Sequence, residues 1–240
     1  MNKKAIYLKI GAVLLFSLIL VVGSYQTVDA NVQIKAGKLD YQSDWIDLAD
    51  GVTIFWEDYE IVSDRGEIDR PESITYLYDN VEVTFDRGFI NSDELIIYMN
   101  DDELEFTDNV FLSYSREQTE DDEDTETEDD EDEETEDNQD EEAEGTQGVE
   151  KLELTSNKMV YNTEKESFEF EEELEIKQEG RTINAGAGSY NEAEDIFYFR
   201  SGVEIVEEDG DKVTSETARL DLSQDDLFTA EGNVEIELEL

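Results

Sequence analysis

From residue 31 onward the chain alternates apolar and polar positions with period two, as where Val234, Ile236, Leu238 and Leu240 stand between Glu235, Glu237 and Glu239. On a strand this puts apolar groups on one face and carboxylates on the other, so the pattern predicts half-buried β-strands. No stretch after Ala30 carries a 3.6-residue period, and the single proline, Pro71, stands between Arg70 and Glu72 where a turn is expected. The folded part is expected to be all-β.

The strands recur. A turn-like pair followed by an apolar strand appears as Asp50-Gly51-Val52-Thr53-Ile54, Asp79-Asn80-Val81-Glu82-Val83 and Asp108-Asn109-Val110-Phe111-Leu112. It returns as Glu172-Glu173-Leu174-Glu175-Ile176, Ser201-Gly202-Val203-Glu204-Ile205 and Gly232-Asn233-Val234-Glu235-Ile236. A second anchor keeps step: a small residue with partners three and five positions on, in Ala36/Leu39/Tyr41, Ser63/Gly66/Ile68, Ser92/Leu95/Ile97, Ser156/Met159/Tyr161, Ala185/Gly188/Tyr190 and Ser215/Ala218/Leu220. Two anchors sharing a period of about 29 residues define six units of a β-repeat. Gly or Asn before the valine anchors suits a backbone that visits positive φ, so these pairs read as bends.

One interval between anchors is long, and the surplus coincides with an acidic stretch at residues 116–150. Residues 117–144 hold 20 Asp or Glu and no Lys or Arg. Such a segment lacks the apolar surface to offset chain entropy, which predicts a disordered loop. The repeat resumes in phase beyond it, favouring a loop within one sheet stack over a linker between two half-domains. The chain thus divides into 1–30, 31–115, 116–150 and 151–240.

The first 30 residues read as an export signal. Lys3, Lys4 and Lys9 precede an apolar run at 10–22, and Val28 and Ala30 fit a cleavage site that would leave Asn31 as the mature N-terminus. An uncleaved membrane anchor is the alternative. The expected location is the periplasm, or the inner membrane if the anchor is retained.

Charge and composition narrow the function. The net charge is −51, and without the acidic run about −31 remains, a strongly hydrated surface of the halophilic type. Nucleic acid and anionic membrane surfaces are disfavoured partners, because phosphate contacts need Lys and Arg. There is no cysteine and no histidine, which removes disulfides, thiol chemistry and the commonest general base and metal ligand. The acidic run contains no calcium-loop pattern, and Ala185-Gly186-Ala187-Gly188-Ser189 is followed by no phosphate-binding Lys. No enzyme activity, cofactor or resident metal is expected.

The small residue, the apolar and tyrosine pair after it, and a Gly-Asn-Val turn about 18 residues on, repeated behind a signal peptide, resemble the repeat of the OstA/LptA lipopolysaccharide-transport family. Glu231-Gly232-Asn233-Val234-Glu235-Ile236 is the nearest copy, and the resemblance spans residues 31–240 apart from the acidic insertion. It implies a twisted, open-edged β-jellyroll whose sheets enclose an apolar groove for lipopolysaccharide acyl chains, and which joins similar jellyrolls through open sheet edges.

The inward positions Val52, Ile54, Val81, Val83, Val110, Leu112, Leu174, Ile176, Val203, Ile205, Val234 and Ile236 are the groove candidates. Ordinary core packing is the alternative role for each. Glu235, Ile236, Glu237 and Leu238 are expected to form an unpaired edge for self-association or for docking to other envelope jellyrolls. A membrane-anchored LptC-type component of the same export system, and a structural β-repeat scaffold with no lipid cargo, are the competing readings.

Overall fold

The computed structural model describes residues 32–117, 149–178, 180–223 and 227–238. The expected export signal at 1–30, with Asn31, most of the acidic insertion (118–148), residues 179 and 224–226, and the last two residues lie outside the described residues. The described chain is a succession of strands: β1 Gln33–Tyr41, β2 Trp45–Trp56, β3 Tyr59–Ser63, β4 Arg65–Asp69, β5 Ile74–Phe85, β6 Gly88–Tyr98, β7 Glu103–Glu117 and β8 Val149–Asn162. It continues through β9 Ser167–Gln178, β10 Arg181–Asn191, β11 Ile196–Glu207, β12 Lys212–Ser215, β13 Thr217–Asp221, β14 Leu227–Glu231 and β15 Glu235–Glu237. All belong to one antiparallel sheet, and the fold is all-β. Pro71 lies in the turn between β4 and β5. β7 pairs directly with β8 up to Glu117 opposite Val149, so the acidic insertion leaves and re-enters the sheet at one place.

The repeat anchors are corners. At Asp50-Gly51, Asp79-Asn80, Asp108-Asn109, Glu172-Glu173, Ser201-Gly202 and Gly232-Asn233, both residues have positive φ. By parity Asp79 would turn inward between Leu77 and Val81, but the double left-handed step throws it outward and folds the strand over itself. Each long strand thereby splits into two arms. One arm, such as 74–78 of β5, joins layer I with β4, β13 and β14. The other, such as 81–85, joins layer II with β3, β12 and β15. Asparagines on the corner clip neighbouring strands together: Asn80 donates to Asp64 at 2.8 Å and Asn109 to Asp93 at 2.6 Å.

The small-residue anchor has a physical reason at the same corner. Val52 lies opposite Ser63, Val81 opposite Ser92, Val110 opposite Ser156 and Val203 opposite Ser215, so large and small side chains alternate where the layers converge. Each of these serine hydroxyls donates to the carbonyl two residues on, at 2.9–3.1 Å (Arg65, Glu94, Lys158 and Thr217). A polar group buried at a kink therefore has its partner.

The fourth unit lacks Gly or Asn yet bends identically, with φ of 62° at both Glu172 and Glu173. A side chain with a Cβ is disfavoured there by about 1–2 kcal/mol relative to glycine, partly offset by glycine's greater unfolded-state entropy. Glu173→Gly is expected to raise stability by about 0.5–1 kcal/mol. Urea unfolding read by tryptophan fluorescence measures it, and a loss of stability would contradict the strain assigned to this bend.

Candidate lipid groove, rim and edges

Strand register turns the inward positions into lateral files. In layer II one file runs Ile34, Ile54, Ile61, Val83, Ile90, Leu112, Leu154, Ile176, Ile183, Ile205, Val213, Ile236, each directly opposite the next. Every member is aliphatic. The facing surface of layer I is aromatic toward the second half of the chain, where Phe168 stacks on Tyr161 at 4.2 Å and Phe197 on Tyr190 at 4.3 Å.

Ten of the groove candidates lie in this interior: Val52, Ile54, Val81, Val83, Val110, Leu112, Leu174, Ile176, Val203 and Ile205 are all buried. Ile236 ends the file and Val234 precedes β15 without a described ladder partner; they are 62% and 46% exposed, at the last described edge with no further described strand beside them. A concavity lined by the outward Thr155, Glu175, Asn184, Glu204 and Thr214 also reaches the groove candidates Leu174 and Val203. Among the described residues no group of three or more acidic side chains is placed to hold a metal ion.

At the rim opposite the corner, the two layers are tied together by side chains of which the sequence pattern marks only the tyrosines of the repeat anchors. Tyr59 of layer II donates its hydroxyl to Tyr161 of layer I at 3.2 Å. Glu192, in the turn after β10, accepts from the Tyr114 hydroxyl at 3.3 Å and from the Arg87 guanidinium, both of layer II, and also bonds Tyr161. The Glu192 side chain is 6% exposed and Arg87 is 53% exposed. Burial pushes the Glu192 carboxyl above the usual carboxylate range, with Arg87 and the Tyr114 and Tyr161 hydroxyls acting against it. Burial likewise pushes the Tyr114 and Tyr161 hydroxyls up, so both are protonated donors at neutral pH. The repeat anchors pointed to Tyr161 and Tyr190 as periodic aromatics. Arg87 and Glu192 sit in turns, where no periodicity marks them.

Among the described residues the sheet ends in open edges. No described strand pairs with the outer side of β1, nor with that of β14 or β15. Eleven antiparallel pairings lead from β1 to β15, so these two strands are antiparallel to each other. Leu39, Tyr41 and Trp45 are exposed at one end, and Leu227, Val234, Ile236 and Leu238 at the other. Glu235, Ile236 and Glu237 form β15, whose inner side pairs with Lys212, Val213 and Thr214 of β12, and Leu238 follows it.

Comparison with known proteins gives two findings. Residues 109–237 match the family described as lipopolysaccharide-assembly, LptC-related. Among solved structures, the chain is similar to the crystal structure of LptH, the LptA homologous periplasmic component of the conserved lipopolysaccharide transport device from Pseudomonas aeruginosa. The identity is 8% and the TM-score 0.42, over 76% of this chain and 95% of that one. No curated protein matches the chain.

Proposed function

Because the chain belongs to the LptC-related lipopolysaccharide-assembly family, a family of non-enzymatic transport proteins, we propose that it carries acyl chains of lipopolysaccharide or a similar envelope lipid between its two layers. The observation that carries this reading is the aliphatic file from Ile34 to Ile236, which crosses the sheet without a polar interruption and ends, among the described residues, at an open edge on each side. A sheet of the same kind added at either edge would prolong the file, so the carrier becomes a bridge. Acyl burial needs no directional chemistry and contributes about 0.8 kcal/mol per methylene. The acidic surface repels a phosphorylated headgroup, so affinity rests on the acyl chains while salt or divalent cations screen the approach.

Solvent extraction of the purified protein followed by mass spectrometry is expected to yield an acylated lipid. Binding is expected to persist or strengthen as salt rises, and its loss on adding salt would contradict the acyl-burial mechanism. The buried state of the ten interior candidates favours a second reading, a scaffold with a filled interior. Photo-crosslinkers at Val81, Val110 and Val203 discriminate: lipid adducts support the carrier, and clean protein with an intact fold supports the scaffold. A membrane-anchored component of the same system is the alternative to a free periplasmic one. An intact Met1 in the mature protein supports anchoring, and Asn31 as its N-terminus supports release.

A further inference from the structure

The carrier reading leaves a physical difficulty: the inward side chains are buried, so an acyl chain reaches them only if the layers part or if it threads from an open end. The rim is where parting is resisted by few groups. Its cross-layer bonds join Tyr59 to Tyr161, Arg87 and Tyr114 to Glu192, and Tyr114 to Tyr190. They also couple distant strands. Four steps along the sheet separate β3, which carries Tyr59, from β8, which carries Tyr161, and three separate β7 from β10. Strands three or four steps apart thus meet across the rim, and the bonds fasten the middle of the stack.

Resting on the carrier reading, we infer that this cluster is a side gate, a latch between layers that opens to admit acyl chains laterally through the rim. The latch is asymmetric. Its carboxylate is almost fully covered while its guanidinium is half in water. Removing Arg87 strands a buried charge and drives the rim open, whereas removing the Glu192 charge leaves an arginine that water solvates. The opposed effects of the two substitutions separate a latch from a merely structural ion pair.

Acidity acts on the same group. Glu192 faces Arg87, Tyr114 and Tyr59 from layer II, and Tyr161, Tyr190 and the neighbouring Glu166 from layer I. Its carboxyl binds a proton more readily in the closed rim than in water, so closure is favoured at low pH and this advantage is lost as pH rises through the raised value. The gate tightens in acid and loosens as pH rises through that raised value.

The test uses cis-parinaric acid, an acyl probe whose fluorescence rises on leaving water, mixed with the full chain in stopped flow. The protein has no cysteine, so Tyr59→Cys with Tyr161→Cys creates a unique pair for a short reducible bis-maleimide. Bridging is expected to slow uptake at least about tenfold, the scale of a 1.4 kcal/mol rise in barrier, and reduction to restore it. Arg87→Gln is expected to speed uptake, and Glu192→Gln to slow it and flatten its pH profile, with circular dichroism confirming the fold of each variant. Undiminished uptake by the bridged protein would mean entry through the open ends, which overturns the gate and leaves the carrier intact. Equal acceleration by both single variants also overturns it. No uptake by any form, the unaltered chain included, overturns the carrier reading and the gate with it.

Discussion

Phe168→Ala is expected to cost about 3–5 kcal/mol, a large part of the roughly 5–15 kcal/mol that holds a typical domain together. The ring is buried, lies at 4.2 Å from the Tyr161 ring, and meets Phe170 at 6.0 Å and Tyr190 at 6.2 Å. Truncation removes the stacking partner of a tyrosine that reaches across the rim, and leaves a cavity that neighbouring strands, fixed by their ladders, fill only in part. Phe168→Leu keeps most of the volume and is expected to cost about 1–2 kcal/mol. Leu39→Ala, at an exposed edge, is expected to change stability by less than about 0.5 kcal/mol. Urea unfolding gives all three, read as shifts in midpoint at constant slope. A loss under about 1 kcal/mol for Phe168→Ala would mean that the aromatic side of the interior is loosely packed. That result would favour a permanently open groove over one that must be unlatched.

The parts of this architecture legible in the sequence are those repeated often enough to average out local noise. Period-two alternation locates the buried faces, because a strand has two sides and this sheet has one interior. The Asp-Gly and Asp-Asn pairs mark the corners, because positive φ is costly for most side chains. Glu172-Glu173 bends without the signature residues, since neighbouring arms, bent in register on both sides, leave that strand no straight path. The serine anchors are visible as small residues, but their role, satisfying a carbonyl at the kink, depends on a bond two positions along that composition does not encode. Val234 and Ile236 repeat the motif faithfully and still end up exposed. Periodicity says which face a side chain takes, and only topology says whether anything covers that face. The ion pair at the rim was invisible for a related reason. Arg87 and Glu192 lie 105 residues apart, and only the packing of one layer on the other brings them together.

Reversing the charge of the C-terminal edge with Glu231→Lys and Glu235→Lys is expected to weaken self-association about ten- to a hundredfold, equivalent to about 1.4–2.8 kcal/mol. The expectation comes from register. β1 of a second copy set against β15 continues the antiparallel alternation, and Ile34 and Ile236 already belong to one file. Aligning those two puts Lys35 opposite Glu235. The layer I arm then sets Lys38 opposite Glu231, because Leu39 and Ala230 share the file that includes Leu48 and Ala218. Each cross-strand pair of opposite charge contributes a few tenths to about 1 kcal/mol, and like charges at the same positions are destabilising by similar amounts. Backbone ladder bonds and burial of Ile236 supply the remaining affinity, and the charges choose the register. The reciprocal variant, Lys35→Glu with Lys38→Glu, is expected to fail alone and to recover association when mixed with the first, forming alternating pairs. Sedimentation and small-angle scattering at millimolar protein measure this, with the contrast between variants shrinking as salt screens the pairs. Monomers throughout, with no partner crosslinked to β15, would remove the edge from the account. Association indifferent to both variants would keep an edge contact but discard this register.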